Sequence, residues 1–175
     1  DALCKARSWN PSNAKIAFEY AETFKLRGMM DDFALLTRDV FNYAFRPEDL
    51  ARCYRNMAYY YTETKEYKLA VCCLMYSNEF EKSEMVSSEL YYISQVTGEM
   101  YQPTQEELNK CFEDNSIPSA PNEEIMKLAY AYGKQLYEQG DYVTAGYFLG
   151  IVAGFFDDKE VNKMIEECKA EASGT

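Results

Sequence analysis

The stretch AYAYGKQLYEQGDYVTA, residues 129–145, decides the fold class. Gly140-Asp141 in its middle is a tight turn, and apolar residues recur at helical spacing on both sides of it. Two small residues, Gly133 before the turn and Ala145 after it, let the flanking helices cross closely.

The same arrangement stands earlier in the chain. Counting from Ala51, Tyr54, Met57, Ala58 and Tyr61 precede a turn, and Tyr67, Ala70, Leu74 and Ser77 follow it. Ala70 holds the same place relative to Tyr67 that Ala145 holds relative to Tyr142. One repeat period on either side of Tyr67 stand Phe33 and Tyr101. A regular period of this kind is the signature of a repeat architecture.

Both stretches resemble a tetratricopeptide repeat, a helix pair of about 34 residues. In that family small residues stand at the eighth and twentieth positions, here Ala58 with Ala70 and Gly133 with Ala145. Larger residues at the fourth, seventh, eleventh and twenty-fourth positions fill the crossing, here Tyr54, Met57, Tyr61 and Leu74. The later stretch departs from the pattern at Ala129, Val152 and Asp157, where an aromatic, a small residue and Pro are usual. The other two units keep only the period: Phe24 and Leu36, then Tyr92 and Thr104, stand where small residues belong.

The resemblance implies an all-α, right-handed α-α superhelix of about four helix pairs, a solenoid. Its units span about 17–50, 51–84, 85–118 and 126–159, and a capping helix covers 159–172. The whole of 1–175 then forms a single domain. The fourth unit is shifted by the loop NSIPSAP, residues 115–121. The chain opens Asp1-Ala2-Leu3 without a methionine, so a larger parent protein is expected.

Strand signals are poor. Nine helices are expected, over about 13–27, 31–45, 48–63, 66–80, 84–97, 104–114, 122–139, 142–156 and 159–172. Val161, Met164, Ile165 and Cys168 make the clearest apolar stripe, flanked by Lys159, Lys163, Glu166 and Glu167. Asn10-Pro11-Ser12-Asn13 can cap the first helix, Pro47-Glu48-Asp49 starts another, and Gly98 ends a later one.

Composition narrows the function. The chain has 175 residues, 18 Lys and Arg against 29 Asp and Glu, and a net charge of −11. That balance argues against nucleic acid and against an anionic membrane surface as partner. No run of apolar residues is long enough to cross a bilayer. With no histidine, Ser-His and Cys-His catalysis drop out, and neither a metal nor another cofactor is expected. The six cysteines lack CxxC spacing; most fall at apolar helix positions and read as reduced core residues of a cytoplasmic protein, with a disulfide framework the weaker reading. Adjacent carboxylates such as Glu106-Glu107 and Glu123-Glu124 do not share a helix face. The expected protein is not an enzyme.

In the resembled family peptides lie in the concave groove, on the second, fifth, ninth and twelfth positions of each repeat. Those positions hold Phe18, Ala21, Lys25 and Gly28, then Arg52, Arg55, Tyr59 and Thr62. The later units supply Val86, Glu89, Ile93 and Val96, then Lys127, Tyr130, Lys134 and Tyr137. Lys25, Arg52, Arg55, Lys127 and Lys134 face a single acid, Glu89, so this surface reverses the charge bias of the whole chain. With Tyr59, Tyr130 and Tyr137 as hydroxyl donors, it is expected to take an acidic or carboxylate-bearing protein or peptide segment. A subgroup of the family clamps a terminal carboxylate with Lys and Asn in its first repeat. Ala21 and Lys25 stand there, so chaperone-tail binding is not expected. Two other readings are a peptide-sensing domain of a bacterial regulator and a structural module that self-associates through its ends, where Leu3, Trp9 and Ile16 lie.

Overall fold

The computed structural model describes residues 2–10, 12–119 and 121–174. Pro11 and Ala120, which belong to two of the expected breaks, lie outside the described residues, as do Asp1 and Thr175. Every regular element among the described residues is helical. In chain order these are α1 (Ala2–Trp9), α2 (Ala14–Leu26), α3 (Met30–Val40), α4 (Pro47–Glu63) and α5 (Tyr67–Phe80). They continue as α6 (Glu84–Thr97), α7 (Gln105–Asp114), α8 (Glu123–Glu138), α9 (Tyr142–Ala153) and α10 (Lys159–Ser173). Among the described residues no helix is long and apolar enough to cross a membrane.

The chain packs as two compact units, one ending at Pro121 and one beginning at Asn122. The division falls at the end of NSIPSAP. In the first unit, α1 to α6 each pack on their neighbours in sequence, and α7 packs on α5. In the second, α9 packs on both α8 and α10.

The first unit is built around Tyr54. Its ring is fully buried among Phe41, Tyr76, Phe80 and Phe112, with centroids 5.0, 4.9, 5.5 and 5.8 Å away. Burial pushes its hydroxyl far above the ordinary range, so it stays a donor. It donates to the carbonyl of Pro118, and Tyr76 donates to that of Ser119. Arg38 adds bonds to the carbonyls of Asn115 and Ser116, at 3.3 and 3.2 Å. The polar loop after α7 is therefore strapped onto the core by three side chains.

Four helices end in the same hydrogen-bonded turn, in which a left-handed residue follows the C-cap. Gly28, Lys65, Ser116 and Gly140 occupy it, with φ of 71°, 64°, 52° and 81°. After α4 the amide of Glu66 donates to Tyr61 O at 2.7 Å; after α8 that of Asp141 donates to Leu136 O at 3.0 Å. Tyr61 and Leu136 are equivalent in the repeat frame, and so are Lys65 and Gly140. Glycine adopts this φ without the clash that a Cβ brings. Lys65→Gly is therefore expected to stabilise the protein by about 0.5–1 kcal/mol. Chemical denaturation measures it, and a loss of stability would mean that the Lys65 side chain contributes more than its backbone strain costs.

The small-residue pairs do what the sequence requires of them. Ala58 and Ala70 are buried between α4 and α5. At Gly133 a Cβ would stand 3.1 Å from Leu149 Cγ and 3.2 Å from Phe148 Cβ. Around that approach Leu136, Ala145, Leu149, Val161, Met164 and Cys168 form the core of the second unit. The apolar stripe of α10 thus lies where its spacing put it, with Ile165 half-buried at the edge.

Three boundaries differ from expectation. The chain before residue 10 forms a helix, α1, that buries no side chain; Arg7 ties it to α3 through an ion pair with Asp39 at 2.6 Å. A helix held by a polar tether has no apolar stripe to announce it. α3 stops at Val40 and not near 45, because Phe41 and Ala44 turn inward to the core. α9 stops at Ala153, where Gly154 begins a turn.

Candidate functional site

Five of the nine expected groove residues come together in the first unit. Lys25 of α2, Arg52, Arg55 and Tyr59 of α4, and Glu89 of α6 line one cleft of about 440 Å³. The helical register explains the grouping: Arg52, Arg55 and Tyr59 are three and four residues apart, so they share a face of α4. The cleft floor is apolar, with Ala58, Leu74 and Val86.

The charges in this cleft are unevenly satisfied. Lys25 pairs with Glu22 at 3.4 Å and lies over the Tyr59 ring, 4.3 Å from its centroid. Arg52 lies over Phe18 at 4.7 Å and reaches Glu19 only at 4.0 Å. Arg55 Nη1 is buried and has no hydrogen-bond partner. Such unpaired buried donors are rare in folded proteins. Burial, then the carboxylates of Glu63, Glu22 and Glu89, push the Tyr59 hydroxyl up, so it remains a donor.

Four expected residues belong to the second unit and behave differently. Lys127 and Tyr130 line a mainly apolar cleft of about 300 Å³ with Met126, Val152, Phe156 and Val161. Lys127 is held by Glu124 at 2.9 Å and Glu123 at 3.5 Å. Lys134 pairs with Glu160 at 3.3 Å, and Tyr137 donates to Glu167. That bond pushes the Tyr137 hydroxyl up to about 12. Lys127 and Lys134 thus already have carboxylate partners, supplied by α8 and α10.

No family model, curated protein or solved structure matches this chain. The site is therefore read from its own geometry.

Some positions mapped to the groove are core residues. Phe18, Ala21, Val86 and Ile93 are buried, and Gly28 lies in the turn after α2. A fixed repeat frame assigns them to the groove, but Phe18 and Ala21 on α2 and Val86 and Ile93 on α6 are apolar side chains covered by packing. Conversely, sequence reasoning missed Glu22, Asn56 and Met85, all of which line the cleft. Glu22 was findable as the acid one turn before Lys25. Met85 was findable by its register with Glu89, Tyr92 and Val96 on α6. Met85, Tyr92 and Val96 are exposed and continue an apolar rail away from the cleft.

Among the described residues no cluster of three or more Cys, Asp or Glu side chains is placed to hold a metal ion. Cys53, Cys72, Cys73 and Cys168 are buried, and burial pushes the Cys53 and Cys73 thiols far up, away from the reactive thiolate.

Proposed function

We propose that α2–α3 and α4–α5 in the first unit, and α8–α9 in the second, are tetratricopeptide-like helix pairs, and that the chain binds protein or peptide segments without catalysis. The preferred segment is acidic, and it lies across Lys25, Arg52, Arg55 and Tyr59. The observation that carries the reading is the gathering of Lys25, Arg52, Arg55 and Tyr59 along one cleft whose apolar floor suits a side chain. The shared turn geometry after α4 and α8 supports the repeat. The rail of Met85, Tyr92 and Val96 gives apolar residues of the segment somewhere to pack.

The test is fluorescence anisotropy of the full chain with a labelled nonapeptide of alternating Glu and Leu, against its Gln and Leu counterpart. Tighter binding of the Glu peptide is expected, and its affinity should fall with added salt. Arg55→Glu should remove most of the affinity. Lys134→Glu should change it little, because Lys134 already pairs with Glu160. Equal binding of the two peptides would reject an acidic partner, and binding of neither would reject the reading as a whole.

A further inference from the structure

Two cysteines meet where α7 packs on α5. The helices touch through Tyr76 of α5 and Phe112 of α7, whose ring centroids are 5.1 Å apart. Cys72 stands one turn before Tyr76 on the same face of α5, and Cys111 immediately precedes Phe112. One turn further back stand Lys68 on α5 and Glu107 on α7. Bonds to Thr104, and then the charge of Lys68, hold the Glu107 carboxyl below its usual range. Lys68 with Glu107 and Tyr76 with Phe112 thus bracket the two thiols. Between them the Cys72 thiol donates a hydrogen bond to the Cys111 sulfur.

The pair is asymmetric. Both thiols are free, but Cys72 is fully buried and Cys111 only half-buried. Burial, and then the bond to Cys111, push the Cys72 thiol up to about 12, so it keeps its proton. Of the two, Cys111 is the one a small reagent can reach. The chain between them, residues 73–110, contains the whole of α6, whose Val86 and Glu89 line the cleft of Lys25 and Tyr59.

We infer that Cys72 and Cys111 are a reversible redox pair, which a low-molecular-weight disulfide oxidises to a covalent bond between α5 and α7. Cys111, as thiolate, attacks one sulfur of the small disulfide and expels one thiol. Cys72 then attacks the Cys111 sulfur of the mixed disulfide and expels the second thiol. Two protein thiols lose two electrons, one small disulfide gains them, and the two protons leave on the released thiols. The Cys72 thiolate is scarce, but it is strongly nucleophilic and its target is already in contact. The new bond closes a loop around α6 and restricts the unfolded chain, so the oxidised protein is the more stable form. No bound peptide is needed for any of this.

The full chain and its Cys72→Ala variant are incubated with oxidised glutathione, quenched with acid and mapped by peptide mass spectrometry. Fragmentation between the adjacent Cys72 and Cys73 tells which of them is joined. The wild type should show a Cys72–Cys111 cross-link, and Cys72→Ala should stop at a glutathione adduct on Cys111. Oxidation should raise the wild-type Tm by about 5–10 °C, and dithiothreitol should reverse the rise. A wild type in which Cys111 carries only glutathione, or is joined to any cysteine but Cys72, overturns the pair. So does a cross-link that lowers Tm, because the native packing would then not accommodate the bond. The wild-type map decides even where the variant fails to fold, and neither readout depends on peptide affinity.

Discussion

Tyr54→Ala is expected to lower the stability of the first unit by about 3–5 kcal/mol. The substitution empties the centre of the aromatic cluster, where Phe41, Tyr76, Phe80 and Phe112 all pack on one ring. Those rings come from the turn after α3, from α5 and from α7, so no single helix can move in to refill the space. The same change also releases the Pro118 carbonyl, one of the bonds that straps the loop after α7. Tyr54→Phe separates the two contributions. It keeps the ring and drops the hydroxyl, and should cost about 1–2 kcal/mol. Urea unfolding followed by far-UV circular dichroism measures both. A loss below about 1 kcal/mol for Tyr54→Ala would show that the cluster collapses around the gap, and that Tyr54 is not the centre of the unit.

Gly133→Val is expected to lower the stability of the second unit by about 2–3 kcal/mol. Leu149 and Phe148 press against the bare backbone of α8 at 3.1 and 3.2 Å from where a Cβ would stand. Valine adds that Cβ and two methyl groups beyond it, and its branching leaves little rotamer freedom in a helix. α8 and α9 would have to separate, which opens the core of Leu136, Ala145 and Leu149. Gly133→Ala should sit near neutrality. It gains about 1 kcal/mol of helix propensity and loses a similar amount in displacing Leu149. Thermal unfolding of both variants checks the pair. If valine proved as mild as alanine, the close crossing would not be a constraint on this unit.

The two predictions come from different kinds of residue, and that difference tracks what was readable in advance. Gly133 and Ala145 were legible because a close helix crossing admits only small side chains, a constraint that acts on residue type at fixed spacing. Tyr54, Met57, Tyr61 and Leu74 were legible as its large counterparts, and all are buried. α1 was not legible, because an ion pair between Arg7 and Asp39 leaves no periodic trace. Nor was the packing of α7 on α5, which Phe112 makes by entering the Tyr54 cluster.

The candidate site divides the same way. Arg52, Arg55 and Tyr59 share a helix face by spacing alone, so their grouping was written in the sequence. Which cations keep a free donor was not. Lys127 and Lys134 have the same charge as Arg55, yet Glu124 and Glu160 satisfy them while Arg55 Nη1 has no acceptor. Ion pairing depends on which side chains arrive from other helices, and burial depends on what covers them.

By itself, then, the sequence determined an all-helical chain, the turns between its clearest helix pairs and the small residues at their crossings. These follow from local backbone preference and from periodicity, which act over a few residues. Only the tertiary structure decided that the chain forms two compact units. It also decided that Tyr54 gathers the aromatic core of the first, and that Arg55 keeps one buried nitrogen without an acceptor while Lys127 and Lys134 are paired. Those outcomes depend on contacts between residues far apart in the chain, whose strength is set by packing and desolvation and not by residue type at a given spacing.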